Sequence, residues 1–197
     1  MNTLLLLLNS KEEKFVKYSS FLKDEIIFTE NSKCENIGII LSGTASIISY
    51  SFEGKDIVFK NLKKDDTFGE NLIFSRAPFY RGNVIATTRC KIAFINKKDL
   101  LQILHENESF LIEYLNLQSE NAKELNFRIK VLSFDNAYER FTYFMHINNN
   151  IFEMKTIKQL SQILGLSRET VSRLISKLVN EDKLVIKGKS LIFIGDN

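Results

Sequence analysis

The sequence predicts an α+β fold: an N-terminal antiparallel β domain, then a long helix, then a small C-terminal domain of helices and a hairpin. Three observations predict it. Short β-branched and aromatic runs alternate with glycines, an apolar heptad repeat follows them, and two helical stretches joined by a tight turn stand near the C-terminus. Because 44% of the 197 residues are hydrophobic and only one is proline, most of the chain is expected to be folded.

The first segment reads as short strands from Asp24 to about Ile95. The runs lie at 26–28, 37–41, 45–50, 57–59, 84–87 and 92–95. Glycines stand between them, and glycine adopts the positive φ that tight hairpins need, so the pattern predicts an antiparallel sandwich or roll. The clearest turn is at 51–54, and Asn96 is expected to cap the helix that follows the last strand.

Residues 111–132 carry one stripe at alternating steps of four and three residues, the spacing that keeps a helix facing a parallel partner. The stripe consists of Leu111, Leu115, Gln118, Ala122, Leu125, Ile129 and Leu132. It predicts a homodimer, with Gln118 setting register or meeting a ligand. The alternative is that the stripe packs on the chain's own β domain, since Phe110, Phe127 and Val131 lie off it.

The C-terminal segment opens with a helix that Asp135 is expected to cap and that ends at 148–150, and 152–154 is expected to form a short strand. Thr156 and Gln159 fit a capping box that starts the next helix. Gly165 then permits a sharp turn, and Ser167 caps a second helix, which makes a helix-turn-helix. Ser161 and Gly165 are small and are expected to let these two helices approach closely.

A hairpin with a basic tip completes the segment, because apolar runs at 184–186 and 191–194 flank Lys187-Gly188-Lys189-Ser190. This is the pattern of a winged helix. Residues 155–189 contain eight basic and three acidic side chains, an excess of five positive charges. That excess favours a polyanionic partner, although a solvated lysine-rich surface has the same composition.

The second helix of this motif has an apolar stripe and an opposite polar side that includes Arg168, Glu169 and Arg173, which we call the reading face. Arginine donates two hydrogen bonds to guanine and glutamate accepts one from cytosine, so these side chains suit base reading. The alternative is a surface ion pair between Glu169 and Arg173, worth about 0.2–0.5 kcal/mol. Their place at the start of the helix favours base reading.

The run 164–173, Leu-Gly-Leu-Ser-Arg-Glu-Thr-Val-Ser-Arg, resembles the winged-helix DNA-binding domain of bacterial Crp/Fnr transcription regulators. The resemblance extends over nearly the whole chain and divides it into a β-roll sensor domain (1–106), a dimerisation helix (107–134) and a DNA-binding domain (135–197). It implies a homodimer on a palindromic site in double-stranded DNA, with RNA polymerase as a further partner. It also implies that the reading face contacts bases, and that phosphates are bound by Ser167, Thr170, Lys187 and Lys189.

Cyclic-AMP receptors of this family hold the nucleotide with a Gly-Glu pair and a downstream Arg-Ser/Thr-Ala. The matching residues here are Gly69-Glu70 and Arg81-Gly82-Asn83, so the phosphate-side hydroxyl and the alanine are both changed. On the helix, Gln118 and Ser119 stand near the position of the family's base-binding pair. A cyclic nucleotide is therefore not the favoured effector, and another small molecule or no ligand are the alternatives. Without a ligand, Gly69 supplies a turn, and Glu70 and Arg81 form a structural ion pair.

Other chemistry finds little support in the sequence. Cys34, Cys90, His105 and His146 are the only cysteines and histidines, so neither a zinc site nor an iron–sulfur cluster, which needs about four thiolates, is expected. The cysteines are expected to be buried in a reduced cytoplasm, with a redox switch left open. No phosphate-binding loop, hydrolase elbow or metalloprotease motif is present, so we expect no enzyme and no cofactor.

The leucine run at 4–8 is too short to cross a bilayer and lacks the basic residues of a signal peptide, so a cytoplasmic protein without a membrane segment is expected. The competing function is a cyclic-nucleotide-binding regulatory module whose C-terminal helices contact protein instead of DNA. The salt dependence of binding to duplex DNA separates the two, because neutralised phosphates release counterions.

Overall fold

The computed structural model describes residues 2–54 and 56–195, and the chain divides into two compact units, Met1–Ser119 and Glu120–Asn197. The first unit begins with the leucine run, which forms a short helix whose Leu4 is buried in the core. Its elements are α1 (Thr3–Leu6), a 3-10 turn (Glu13–Phe15), β1 (Val16–Phe21), β2 (Ile26–Phe28), β3 (Asn36–Ser42), β4 (Ala45–Tyr50), β5 (Asp56–Leu62), β6 (Thr67–Phe68), β7 (Asn83–Ala86), β8 (Cys90–Asn96), α2 (Lys97–Glu106) and the first part of α3 (Glu108–Leu132).

The strands form two four-stranded antiparallel sheets with the orders β1-β8-β3-β6 and β2-β7-β4-β5. Alternate side chains of both sheets enter one core, to which Ile39, Ile92 and Val84 contribute while fully buried. The 51–54 turn closes the β4–β5 hairpin, with the Gly54 amide bonded to the Ser51 carbonyl at 2.9 Å. The predicted antiparallel roll is confirmed.

Two strands were not predicted. In β1 only Val16 is buried and the next four residues are exposed, so the run Val-Lys-Tyr-Ser-Ser-Phe lacks an apolar period. It is a strand because it pairs with the whole length of β8, from Val16 opposite Ile95 to Phe21 opposite Cys90. β6 is only two residues long and pairs with β3. Both depend on long-range pairing that no local pattern reveals.

The second unit holds the rest of α3 and the C-terminal elements. These are α4 (Ala137–Ile147), β9 (Ile151–Glu153), α5 (Ile157–Leu164), α6 (Arg168–Asn180), β10 (Leu184–Lys187) and β11 (Ser190–Phe193). The strands form a three-stranded antiparallel sheet with the order β10-β11-β9. Its core contains Phe141 of α4, Leu160 of α5, Val171 of α6 and Leu191 of β11, all fully buried. The predicted winged helix-turn-helix is confirmed.

Helix caps agree with the sequence at three positions and differ at one. Asn96, Thr156 and Ser167 each accept a hydrogen bond from the backbone amide three residues on. The Gln159 side chain reaches back to the Lys155 amide. Asp135 was the expected cap of α4, but Asn136 takes that position and accepts from the Glu139 amide at 2.9 Å. Asp135 and Asn136 are both residue types that cap helices, and the helix begins one residue later than the sequence indicated.

The sequence predicted that Gly165 lets α5 and α6 approach closely, but the close neighbour of Gly165 is α3. Gly165 has a φ of 63° and caps α5, but a Cβ there would collide with Leu132 of α3 and not with α6. Ser161 is buried, and its hydroxyl donates to the Lys158 carbonyl within its own helix. The small residue at the turn therefore admits the end of α3 to the helix-turn-helix.

The α3 stripe is largely exposed. Leu115, Leu125, Ile129 and Leu132 have 49–59% of their surface accessible, whereas off-stripe Phe110 and Val131 are fully buried. These four residues are therefore exposed apolar surface. The helix uses one side for its own core and leaves an apolar side to solvent.

Both thiols are buried in the roll with 1% of their surface exposed. The Cys34 Sγ donates to the Asn36 and Gly69 carbonyls at 3.5 Å, and the Cys90 Sγ donates to the Thr44 carbonyl at 2.9 Å. Burial raises the pKa of the Cys34 thiol above its usual value. A protonated, inaccessible thiol is a poor redox sensor.

We expect both cysteines of the native protein to react with Ellman's reagent on the order of 100-fold more slowly than in urea, because reaction requires local opening. Absorbance at pH 7.5, followed by mass spectrometry of the labelled peptides, measures the two rates. Rapid stoichiometric labelling of Cys34 or Cys90 in the native protein would contradict their burial.

Candidate nucleic-acid interface and ligand site

The recognition helix α6 owes its orientation to an apolar stripe. Val171, Ile175 and Leu178 are 0–7% exposed and pack into the core of the second unit. The remaining side of the helix then faces solvent, and Arg168 and Arg173 are exposed there. The burial of each of these three apolar side chains contributes about 1.5–3 kcal/mol, so together they stabilise this orientation by several kcal/mol. The polar side is available to a groove of DNA.

The reading face borders an open surface groove of about 450 Å³. The groove is lined by Ile157, Arg168, Glu169, Ser172 and Arg173. The structure thus brings together the three residues of the reading face and adds two that the sequence-based set of site residues omitted. Ser172 was visible on the polar side of the helix, whereas Ile157 belongs to α5 and joins the groove only through the packing of the two helices.

The first turn of α6 is organised by its cap. The Ser167 hydroxyl accepts from the Thr170 amide at 3.1 Å and lies 3.0 Å from the Thr170 hydroxyl. Hydrogen bonds from the Glu169 backbone amide and from Ser167 lower the pKa of the Glu169 carboxyl. Glu169 is therefore an ionised acceptor at neutral pH, the form that accepts a hydrogen bond from an amino group.

The wing carries the two predicted lysines at its tip. Lys187 and Ser190 are opposite each other where β10 and β11 meet, and Gly188 between them has a φ of 61°. This positive φ suits a two-residue hairpin loop. Lys187 and Lys189 are both exposed, as a phosphate contact requires.

Arg140 of α4 holds the turn of the helix-turn-helix, a role that the sequence did not reveal. Its Nη1 donates to the Leu164 and Gly165 carbonyls at 3.2 and 3.3 Å. Its Nε donates to the Phe134 carbonyl at 2.9 Å and its Nη2 to the Leu132 carbonyl at 3.3 Å. One guanidinium thus bonds carbonyls at the C-terminal ends of α3 and α5, where the helix dipole is negative.

Among the candidate ligand residues, Gly69 and Glu70 follow strand β6, and Gln118 of α3 contacts Glu70. Gly69 has a φ of 83° and forms the turn after β6, and Glu70 is buried at 4% exposure. Tyr114 Oη and Gln118 Nε2, both on α3, donate to the Glu70 backbone carbonyl at 3.0 and 2.8 Å. Gln118 therefore meets the roll directly. Burial is the main cause that raises the pKa of Tyr114 to about 12, so its hydroxyl remains a donor.

Ser119 and Arg81 are not gathered with these residues. Ser119 is exposed and bonds the Leu115 carbonyl of its own helix at 2.9 Å. Arg81 is exposed, whereas Glu70 is buried.

The phosphate side of the site differs from the pattern of the family's cyclic-AMP receptors. Gly82 offers no hydroxyl, and a Cβ there would lie 3.0 Å from the Ile48 carbonyl oxygen and 3.2 Å from the Phe59 ring. The Asn83 Oδ1 already accepts from the Glu30 amide at 2.9 Å. The residues that the family uses for the phosphate are therefore replaced or engaged.

Comparison with known proteins agrees with this architecture. Residues 18–107 match the family described as Cyclic nucleotide-binding domain. The chain is 23% identical over 176 residues to the cAMP-activated global transcriptional regulator CRP of Salmonella typhimurium, with 84% of each protein covered.

Solved structures are also similar. A CooA mutant from Carboxydothermus hydrogenoformans has a TM-score of 0.73 at 18% identity, covering 99% of this chain and 92% of that one. The Catabolite Activator Protein of Thermus thermophilus has a TM-score of 0.57 at 18% identity, covering 96% of this chain and 92% of that one. These likenesses support the shared fold.

The roll, the long helix and the winged helix-turn-helix define a class of transcription regulators in which a cyclic nucleotide-binding-type domain precedes a DNA-binding-type domain. The chain is similar to regulators of this class in its matched domain, in its relative from Salmonella typhimurium and in its fold, in agreement with the Crp/Fnr-like motif at 164–173. The relative from Salmonella typhimurium is by its name a regulator and not an enzyme.

Within 2–54 and 56–195, no three His, Cys, Asp or Glu side chains are grouped so that they could hold a metal ion. In that same part of the chain, no helix combines the length and apolarity that crossing a membrane demands.

Replacing Arg140 by alanine is expected to lower the free energy of unfolding by about 1–3 kcal/mol, because several backbone carbonyls lose their donor. Arg140→Lys should recover little, since an ammonium cannot match the planar fork. Urea titration followed by circular dichroism measures both changes, with exposed Lys158→Ala as a control expected to stay within about 0.5 kcal/mol. Equal stability of Arg140→Ala and the control would refute the role of the guanidinium.

Proposed function

We propose that this chain is a sequence-specific DNA-binding transcription regulator that binds a palindromic operator as a homodimer. The single observation that carries the proposal is the reading face, which is exposed at the start of α6 beside an open groove while the apolar stripe is buried. In the proposed division of labour, 1–106 form the sensor domain, 107–134 the dimerisation helix and 135–197 the DNA-binding domain.

The side chains of the reading face have distinct roles in this proposal. Arg168 and Arg173 each donate two hydrogen bonds to guanine O6 and N7, and Glu169 accepts from cytosine N4. Each good pair discriminates against the wrong base by about 1–3 kcal/mol. The lowered pKa of Glu169 supports its part, because a carboxylate accepts a stronger hydrogen bond than a protonated carboxyl does.

Phosphate contacts set the position of the domain on the duplex. Ser167 and Thr170 stand in the first turn of α6, where backbone amides and the helix dipole favour an anion. Lys187 and Lys189 at the wing tip add point charges that attract any sequence alike. These contacts provide affinity and its salt dependence without base preference.

Arg168→Ala is expected to lose about 1–3 kcal/mol of preference for the operator over a scrambled duplex, while Lys187→Ala weakens both duplexes alike and reduces the salt slope by about one. Arg168→Lys keeps the charge, loses the fork and should resemble the alanine variant. Electrophoretic mobility shifts on an operator obtained by in vitro selection measure these differences.

An equal loss on both duplexes by Arg168→Ala would contradict base reading by that residue. Retention on duplex DNA that does not depend on salt, or no retention, would instead favour the module that acts through protein contacts.

The homodimer is proposed to form along the α3 stripe. Its exposed leucines and isoleucine are apolar surface that a parallel second copy would remove from water at about 25 cal/mol for each Å². Two recognition helices related by a twofold axis then reach successive major grooves. The half-site centres of the operator are accordingly expected about 34 Å apart.

Leu125→Glu is expected to convert a micromolar dimer into a monomer, because each copy would bury an unpaired charge in the seam at a cost of several kcal/mol. Asn116→Glu introduces the same side chain at an exposed position outside the stripe and should remain dimeric. Sedimentation equilibrium gives the mass of each variant, and footprinting shows whether protection of both half-sites is lost with the dimer. A monomeric wild type that protects a single half-site would refute the proposal.

The family resemblance supports the remaining assignments. RNA polymerase is the proposed protein partner, the cytoplasm the proposed location, and neither catalysis nor a cofactor is expected. A cyclic nucleotide is the effector that the family implies, although the altered residues around Gly82 disfavour it.

A further inference from the structure

The β4–β5 hairpin contains an irregularity that redirects one aromatic side chain. Ile47 pairs with Lys60, but the next residue, Ile48, pairs with Val58, so Phe59 is the extra residue of β5 between these two pairs. This is a β-bulge, and a bulge turns the side chain of its extra residue away from the regular alternation. Phe59 is 42% exposed, so its ring does not enter the core of the roll.

The redirected ring lies against Gly82. The Cδ2 atom of Phe59 is 3.2 Å from the point where a Cβ of residue 82 would stand, and the Ile48 carbonyl oxygen is 3.0 Å from the same point. A serine or threonine at this position would have to displace the ring or the strand. The bulge and the glycine are therefore complementary, because the ring lies in tight contact with the point where a side chain of residue 82 would begin.

The surroundings of this strand end are also unfavourable for an anion. The Glu30 carboxylate accepts from the Ser49 hydroxyl at 2.9 and 3.0 Å, and the Glu30 amide is bonded to Asn83. Ser49 thus holds the Glu30 carboxylate, and Asn83, the residue after Gly82, holds the Glu30 backbone. Arg81, the cation of the family motif, is exposed to solvent, where its attraction for an anion is screened.

Two side-chain hydrogen bonds join the long helix to the roll. Tyr114 and Gln118, one turn apart on α3, both donate to the Glu70 carbonyl at 3.0 and 2.8 Å. The bond from Tyr114 is buried, and the one from Gln118 is partly buried. The residue that would hold a ribose hydroxyl is instead tied through its backbone to the helix.

We propose that the β-roll of this chain binds no cyclic nucleotide, because the Phe59 bulge closes the phosphate side at Gly82, and that Tyr114 and Gln118 fasten α3 to the roll in place of a ligand. The roll then holds the helix without a cyclic nucleotide. Only its consequence for DNA rests on the proposed function: operator binding requires no cyclic nucleotide.

Isothermal titration of the full chain with cyclic AMP and with cyclic GMP, together with thermal unfolding in the presence of each nucleotide, tests the closed site directly. We expect no saturable heat and no rise in Tm with 1 mM nucleotide, since a ligand bound to the native state alone raises Tm. A dissociation constant below the order of 100 µM for either nucleotide would overturn the proposal. This readout does not depend on DNA binding.

Mobility shifts on the selected operator test the consequence. The operator affinity is expected to change less than about twofold when either nucleotide is added, and a gain of tenfold or more would overturn the inference. If the chain binds no duplex under any condition, the proposed function fails, and the titration still decides the state of the roll.

Variants test the two structural claims separately. Gly82→Ser should lower Tm in the wild type and lower it less in a Phe59→Ala background, because the ring is then absent; additive losses would refute the claim that Phe59 fills this space. Tyr114→Phe with Gln118→Leu should lower Tm by about 4–8 °C through loss of two hydrogen bonds. Exposed Asn116→Ala on α3 is the control, and an equal Tm for both would refute the fastening.

Discussion

The burial of one stripe of α6 is the constraint on which the functional surface depends. Val171, Ile175 and Leu178 complete the core of a small domain, and a helix that buries this stripe must present its opposite side to solvent. The reading face is therefore oriented by packing on the other side of the helix. Arg140 adds rigidity to this arrangement, because it bonds the turn that sets the angle between α5 and α6.

The same principle governs α3 with a different outcome. Its buried side, represented by Phe110 and Val131, contributes to the cores, while the stripe remains apolar and exposed. An exposed apolar stripe of this length is stabilised when a partner covers it. Gln118 lies on the stripe, but its side-chain amide donates to the Glu70 carbonyl of the roll.

Local chemistry made much of the fold predictable. Glycine turns, the heptad steps and the caps Asn96, Thr156 and Ser167 act over a few residues, so their signals survive in the order of the amino acids. β1 escaped prediction because its partner β8 lies some seventy residues away, which leaves no periodic pattern in the strand itself. At α4 two adjacent caps competed, and only the path of the chain chose Asn136.

The site residues also differ in whether local sequence or tertiary contact determines their role. The residue types at 164–173 were sufficient to predict a capped helix with a polar side, for which DNA reading is proposed, because capping, amphipathicity and hydrogen-bonding chemistry are properties of neighbouring residues. Ile157, Arg140 and Phe59 acquire their roles only in three dimensions. Packing brings Ile157 beside α6, folding places the Arg140 guanidinium among carbonyls of two helices, and a bulge in pairing sets the Phe59 ring on Gly82. Such contacts join residues distant in the chain, and no local pattern encodes the partner that each will meet.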